Sequence, residues 1–284
     1  MSNRLTRIMP NERHIVSLSG GKDSTALAIF LQKNFPDVNY EFVFCDTGEE
    51  LPETYSYLEK IETYLGKKIV RLRAERTWDQ FLEDFSGYLP SARSRWCTAN
   101  MKIKPFEDYI GDDLVISYIG IRADENREGY ISSKTNIIPK YPFKEHGIDK
   151  EGVMRILDES GLGLPDYYKW RTRSGCYFCF FQRRKEWLGL KENHPHLYEK
   201  AKEYETSNKD GSAQNFTWIQ GGTLEQILKD EEGIKRRHDQ YETRVKRDKQ
   251  KKSKRLIDVF SSELSFEDAL NMEDDAEGCL VCHV

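Results

Sequence analysis

The sequence predicts an α/β protein: a doubly wound parallel sheet with a helical carboxyl-terminal extension. Three observations carry this. Short apolar runs alternate with stretches of helical periodicity between His14 and Phe143, the pattern of strands covered by helices on both faces. Polar, motif-like turns follow Leu18, Cys45 and Ile121, at the carboxyl ends of the strands, where open parallel sheets bind ligands. Beyond Lys150 the periodicity becomes helical throughout.

The elements follow in order. "HIVSLSG" is a short apolar run that ends in glycine, as a buried strand does. Leu27, Phe30 and Leu31 then recur at helical spacing from Ser24 to Lys33. "YEFVFCDTG", Tyr40 to Gly48, is the second strand, and "PETYSYLEKIETYLG" a helix closed by Gly66. "KIVRLRA", "LVISYIGIRADE" and "IIPKYPF" supply the third, fourth and fifth strands. Helices are expected over Glu151–Ser160, over "RRKEWLGLKEN", and over "LYEKAKEYE" beyond His194-Pro195. The last opens at Thr223, with Gln226 completing a capping box, and runs on through Ile227, Ile234, Tyr241 and Val245. The domain expectation is therefore a nucleotide-binding α/β unit over 1–150, a helical region carrying Cys-x-x-Cys over 151–220, and a basic helix with an acidic tail over 221–284.

Bulk properties narrow the function classes. The 284 residues are 38% hydrophobic and 32% charged, and no apolar run reaches the roughly 18 residues of a membrane span. The start, "MSNRLTRIMPNER", lacks the apolar centre of a secretory signal. A cytoplasmic protein with no membrane partner is expected. Charge is uneven. Lys235–Arg255 holds eleven Lys/Arg and three Asp/Glu, whereas Ser261–Val284 holds seven acids and no Lys or Arg. The basic stretch is a candidate phosphate-backbone surface for nucleic acid, with Tyr241 its one aromatic residue. A solvated helix face, a protein partner and the acidic tail itself are the alternatives.

"SGGKDST" has the make-up of a phosphate loop without being the familiar one. A Walker A loop needs Gly-x-x-x-x-Gly-Lys-Ser/Thr; here Val16 stands at the first glycine and Asp23 follows Lys22. A strand that turns on Gly20 and Gly21 into a helix near Ser24 points backbone N–H groups and a helix terminus at an anion. Lys22 adds a mobile charge, and Ser19 and Ser24 add hydroxyls. Asp23 would repel phosphate unless it faces inward or holds a metal.

Ser-Gly-Gly-Lys-Asp-Ser after a first strand resembles the PP-loop of the ATP pyrophosphatases. "VFCDTGEELPET" and "GIRADENREGY" resemble the second and third signatures of the phosphoadenylylsulfate (PAPS) reductase branch, and "YPF…GLPDYY…GCYFC" follows its later order. The likeness covers about residues 14 to 205. It implies the adenine nucleotide alpha hydrolase-like fold, and an enzyme that splits ATP between the α and β phosphates, adenylates a substrate and releases pyrophosphate. It also implies ATP with Mg²⁺ held by Ser19, Gly20, Gly21, Lys22, Asp23 and Ser24, by Asp46, Thr47 and Gly48, and by Arg122. Lys22, Asp23 and Asp46 are the catalytic candidates.

Six cysteines remain to be placed. Cys45 lies in an apolar strand and reads as core. Cys97, Cys176 and Cys179 resemble three of the four [4Fe–4S] ligands of adenylylsulfate (APS) reductases, with Trp96 where the fourth would stand. Cys279 or Cys282 is the candidate fourth ligand, or the fourth iron is left open to take up sulfide, as would suit sulfur insertion. A zinc site of Cys176, Cys179, Cys279 and Cys282, or free thiols, are the alternatives. The reading closest in kind is sulfur transfer like that of the Dnd and Ssp DNA phosphorothioation proteins, with a cysteine desulfurase as sulfur donor, DNA held through Lys235–Arg255, and a homodimer as a candidate assembly. tRNA thiolation, PAPS/APS reduction and a non-catalytic nucleotide-binding scaffold stand as alternatives. Against reduction, the tail reads Gly278-Cys279-Leu280-Val281-Cys282-His283 rather than the reductases' Glu-Cys-Gly-x-His.

Overall fold

The computed structural model describes residues 12–126, 134–206, 216–219 and 221–250. Its centre is a five-stranded sheet. The strands are β1 (Glu12–Ser17), β2 (Tyr40–Cys45), β3 (Ile69–Leu72), β4 (Leu114–Tyr118) and β5 (Ile137–Lys140). Every neighbouring pair is parallel, in the order β3-β2-β1-β4-β5. All five strands expected from the apolar runs form. β5 contains Pro139, which a sheet tolerates on an edge strand because it cannot donate to a further neighbour.

The sheet is covered on both faces, so successive residues of a strand enter different cores. Val16, Phe42 and Phe44 pack on one face with α1 (Lys22–Asn34) and α2 (Pro52–Leu65). Ile15, Val43 and Cys45 pack on the other with Phe106 and Ile110. This confirms Cys45 as a core residue. α2 begins with proline at its first position and ends at Gly66, whose φ of 64° is the left-handed closing conformation. After α3 (Trp78–Asp84), α4 (Trp96–Thr98) leads through a π-helical turn, Ala99–Ile103, into α5 (Lys104–Ile110). α6 (Pro142–Glu145) follows β5.

The carboxyl-terminal region comprises α7 (Lys150–Ser160), a 3₁₀ turn at Asp166–Lys169, α8 (Arg184–Asn193), α9 (Pro195–Thr206), α10 (Leu224–Ile227) and α11 (Glu231–Gln250). It shares a third core with the earlier segments: Trp78, Trp96, Phe178, Trp187, Tyr204 and Trp218 belong to one buried cluster. One expected helix divides in two. The Thr223–Gln226 capping box forms, but α10 lasts a single turn, and Asp230 then caps α11 by accepting from Gly233 N–H at 3.0 Å. Among the described residues, no helix is long and apolar enough to cross a membrane.

Candidate active site

β1 leads to β2 on one side, while β4 lies on its other side. The loops after β1 and β4 therefore diverge and leave a crevice at the carboxyl edge, the usual ligand position in such sheets. The "SGGKDST" loop and Arg122 both occupy that edge.

The loop is closely fitted. Gly20 has φ +69°, and a Cβ there would lie 2.7 Å from Thr54 Cγ2. A Cβ on Gly21 would lie 2.7 Å from Ser174 Oγ. Ser19 N–H donates to Ser24 Oγ at 3.1 Å, the Ser19 and Ser24 hydroxyls are 3.1 Å apart, and Ser174 Oγ donates to Ser19 Oγ at 3.0 Å. Two tyrosines of the 3₁₀ turn hold the loop from outside: Tyr167 OH donates to Gly20 C=O at 2.7 Å, and Lys22 N–H donates to Tyr168 OH at 3.1 Å. Burial raises both phenol pKa values, so the hydroxyls stay protonated.

Asp23 faces inward, which resolves the repulsion its charge would otherwise create. It is buried, Lys22 Nζ lies 2.6 Å from one of its oxygens, and Arg122 Nη1 lies 3.2 Å from the other. Arg122 also meets Asp124 at 2.9 Å and Glu125 at 2.8 Å. Burial works against the Arg122 charge, but these carboxylates outweigh it and raise its pKa. Asp124 is also pulled two ways, and Arg122 holds its carboxyl below the ordinary value against desolvation.

Asp46 is fully engaged. One oxygen accepts Gly48 N–H at 2.9 Å and Tyr55 OH at 2.7 Å; the other accepts Arg73 Nε at 2.9 Å and Nη2 at 2.6 Å. In this arrangement Asp46 anchors the Asp46-Thr47-Gly48 turn. A ligand reaching it must first displace Arg73, whose side chain is 66% exposed.

The Cys-x-x-Cys turn is fastened to this loop. Glu50 and Cys176 form an antiparallel bridge, and Tyr177 N–H donates to Glu49 C=O at 2.9 Å. Cys179 N–H closes the turn on Cys176 C=O at 3.1 Å, and buried Arg171 donates to the carbonyls of Gly175 and Cys176 at 2.9 Å each. Cys176 Sγ lies 3.1 Å from Thr47 Oγ1. Burial pushes the Cys176 thiol well up, reinforced by Glu50, and pushes Cys45 up to about 12 against the pull of Lys102. Desolvation also raises Glu50, with Lys102 and Arg171 opposing. A small cavity bordered by Ser19, Cys45, Glu50, Lys102 and Ser174 joins this turn to the glycine-rich loop.

The thiols fit a metal only in part. Cys97 and Cys176 pack against the same aromatic core. Yet among the described residues no three His, Cys, Asp or Glu side chains converge as a metal-binding group. Cys279 and Cys282 lie outside the described residues. Ser174 and Arg73 are site residues that the motifs did not disclose, although Ser174 and Gly175 directly precede Cys176. Tyr167 and Tyr168 stand inside "GLPDYY" and Glu50 inside "VFCDTGEELPET", segments that mark the place without giving these residues a role.

Residues 13–138 match the model of the phosphoadenosine phosphosulfate reductase domain. That segment is a PAPS reductase-like PP-loop domain. The chain is 30% identical over 225 residues to an uncharacterized protein of Methanocaldococcus jannaschii, across 73% of this chain and 44% of that relative. It is 26% identical over 209 residues to the tRNA-specific 2-thiouridylase MnmA of Hydrogenovibrio crunogenus, across 62% of this chain and 53% of the relative. The phosphoadenylyl-sulfate reductase of Candida auris, solved as a phosphate complex, has 16% identity and a TM-score of 0.45, over 59% of this chain and 82% of its own. The chain spans 44% and 45% of the length of two M. jannaschii relatives.

Proposed function

We propose that this PP-loop protein cleaves ATP between the α and β phosphates to adenylate a nucleic acid for sulfur transfer. The observation that carries the reading is the Ser19–Ser24 loop at the crevice, with Lys22 and Arg122 both held on one buried carboxylate. In this reading an acceptor oxygen attacks the α-phosphorus, the bond to the β-phosphate oxygen breaks, and pyrophosphate leaves. The loop N–H groups, the Ser19 and Ser24 hydroxyls and Lys22 take up charge on the departing pyrophosphate, and Arg122 takes up charge on the α-phosphate. Mg²⁺ enters with ATP. The outer sulfur of a cysteine desulfurase persulfide then displaces AMP from the activated acceptor, and a second thiol cleaves the resulting S–S bond, leaving as a disulfide with the carrier cysteine while the acceptor keeps the sulfur. The Lys235–Arg255 stretch is the proposed backbone contact.

Both a DNA backbone phosphate and a tRNA base carbonyl are acceptors for this chemistry. The relative named a tRNA-specific 2-thiouridylase favours tRNA. A [4Fe–4S] cluster is proposed on Cys97, Cys176 and Cys179, with Cys279 or Cys282 as fourth ligand and zinc as the competing occupant; none of the steps above runs through it. Iron, sulfide and zinc analysis of anaerobically purified protein and of C176S decides between them.

The test of function is product analysis with Mg-ATP, with and without tRNA or DNA. AMP and pyrophosphate that vanish in K22A support the reading, and stimulation by one nucleic acid names the acceptor. Intact ATP together with sulfite release from PAPS or APS and a thiol would replace it with sulfonucleotide reduction. This second reading is favoured by the domain matched at residues 13–138. Intact substrates in every case leave the scaffold.

A further inference from the structure

Two segments far apart in the chain carry basic residues and no acidic ones. Residues 91–104 hold Arg93, Arg95, Lys102 and Lys104, and residues 167–185 hold Lys169, Arg171, Arg173, Arg183, Arg184 and Lys185. Neither contains an Asp or Glu, in a chain of net charge −4. The fold brings them together. The Arg95 guanidinium lies 5.5 Å from the centroid of the Phe181 ring, and that of Arg173 lies 5.7 Å from the same centroid. Phe180 is tilted against Phe181 at 4.4 Å. All four side chains are partly buried, and Arg93, two residues before Arg95 in the chain, is exposed.

The position of this patch matters as much as its charge. Arg173 immediately precedes Ser174, whose hydroxyl holds Ser19 of the glycine-rich loop at 3.0 Å. Arg95 is two residues before Cys97, and Phe181 two residues after Cys179. The same surface continues towards α11, because Lys185 Nζ lies 3.1 Å from His238 Nδ1. A ring that carries two guanidiniums presets planar donors suited to phosphate, and Phe180, partly buried against the aromatic core, keeps some exposed ring surface for a base. Arg171 is fully buried against the carbonyls of Gly175 and Cys176 and is not part of this surface; Arg173 also acts on the buried carboxylate of Glu186, next along the chain from Lys185.

We propose that the surface formed by Arg93, Arg95, Arg173, Phe180 and Phe181 docks an unpaired RNA strand, with its phosphates on the arginines and a base on Phe180. This rests on the nucleic-acid reading above and gives the acceptor a path to the crevice that does not depend on Lys235–Arg255. An unpaired strand fits better than a duplex, because Phe180 can stack only on a base free of its pair.

The test is fluorescence anisotropy of the full chain with a labelled 20-nucleotide single-stranded RNA and with DNA of the same sequence. R95Q/R173Q is expected to weaken RNA binding at least tenfold and to lower the slope of log K against log salt by about 1.4, about 0.7 for each phosphate no longer neutralised by an arginine. F180A is expected to weaken it on the order of tenfold with the slope unchanged. K60Q/K68Q, which removes equal charge from exposed lysines elsewhere, should bind as the parent does. RNA should bind at least as tightly as DNA. Parental affinity in R95Q/R173Q, an equal loss in K60Q/K68Q, tighter binding of DNA, or no RNA binding by the parent each overturns the proposal. If R95Q/R173Q does not fold, F180A and R93Q carry the test under the same criteria. Pyrophosphate release from Mg-ATP without RNA, measured on the same preparations, separates the two readings. Release with unaltered RNA binding removes only the docking surface, and impaired binding without release removes only the ATP chemistry.

Discussion

Gly20→Ala tests the loop where its geometry is tightest. Two costs add. An alanine at φ +69° sits in the left-handed region, at about 1–2 kcal/mol. Its Cβ would also lie 2.7 Å from Thr54 Cγ2. Thr54 is fully buried near the start of α2, so relief requires a shift of helix or loop, at about 1–3 kcal/mol. Together G20A should destabilise the chain by about 2–5 kcal/mol. Thr54→Ser separates the terms, because serine lacks Cγ2 but keeps the hydroxyl. In urea unfolding, G20A/T54S should recover the overlap cost of about 1–3 kcal/mol and retain the backbone cost. The double variant should also remain impaired in pyrophosphate release, since the φ at Gly20 aims the loop N–H groups. A G20A loss below about 1 kcal/mol, or no coupling to T54S beyond about 0.5 kcal/mol, would refute the close approach of loop and helix.

Lys22→Ala should lower kcat/KM for pyrophosphate release by at least about a hundredfold, as removal of a charge that meets the leaving group does; steady-state release of pyrophosphate measures this. Asp46→Ala should cost about 2–3 kcal/mol, because Tyr55 OH and Gly48 N–H lose a buried charged acceptor. Arg73→Ala should cost about 1–2 kcal/mol, less than D46A, because it leaves the fully buried Asp46 carboxylate without its cation but opens it to water where the 66%-exposed Arg73 stood; urea midpoints compare the two. His14 has its pKa lowered by burial, with Glu12 opposing and Lys140 reinforcing the shift. The folded state therefore binds this proton less readily than the unfolded chain does. The associated stability is present above the ordinary histidine value near 6.5 and is lost as pH falls through the lowered value. His14→Phe, which keeps a ring against Tyr40 and Tyr118, should flatten the loss of thermal stability as pH falls below about 6.5.

What could be read from the chain alone followed the range of the interactions involved. The central strands β1, β2 and β4 were legible because a strand buried on both faces needs an apolar run, and that run is local; the edge strands β3 and β5, with Arg71 and Ile138 exposed, were read from shorter apolar runs. The glycine-rich turn was legible for the same reason: Gly20 and Gly21 answer to backbone geometry within a few residues. Ser174 was not, because it reaches the loop across 155 residues of chain and belongs to no periodic pattern; Tyr167 and Tyr168 lie in "GLPDYY", but nothing local marks their contact with the loop. Arg73 was hidden similarly: nothing in "KIVRLRA" marks one of its two arginines as the partner of Asp46. The helix expected to run on from Thr223 failed at Asp230, whose capping of Gly233 competes with continuation and whose residue type favours a helix start. Charge misled in one further respect. The dense run at Lys235–Arg255 drew notice, while the acid-free segments around Arg95 and Arg173 became a single surface only on folding.

The arrangement at Asp23 explains why a phosphate loop carries a carboxylate. Without an anion, Lys22 and Arg122 would stand close together at the end of one strand edge, and their mutual repulsion would open the crevice. Asp23 holds Lys22 at 2.6 Å and Arg122 at 3.2 Å, so both cations are positioned before a ligand arrives. An incoming polyphosphate brings more negative charge than one carboxylate and offers several oxygens, and Lys22 can turn to it while Asp23 keeps Arg122 in place. Asp23→Asn therefore acts differently from loss of Lys22. It leaves both cations, with Arg122 still on Asp124 and Glu125, but removes the charge that holds Lys22, which should weaken the loop without ligand and restore most of its stability when ATP is bound. Thermal melts of D23N with and without Mg-ATP measure that difference. A ligand-induced rise no larger than in the parent would mean that Asp23 serves the bound state itself.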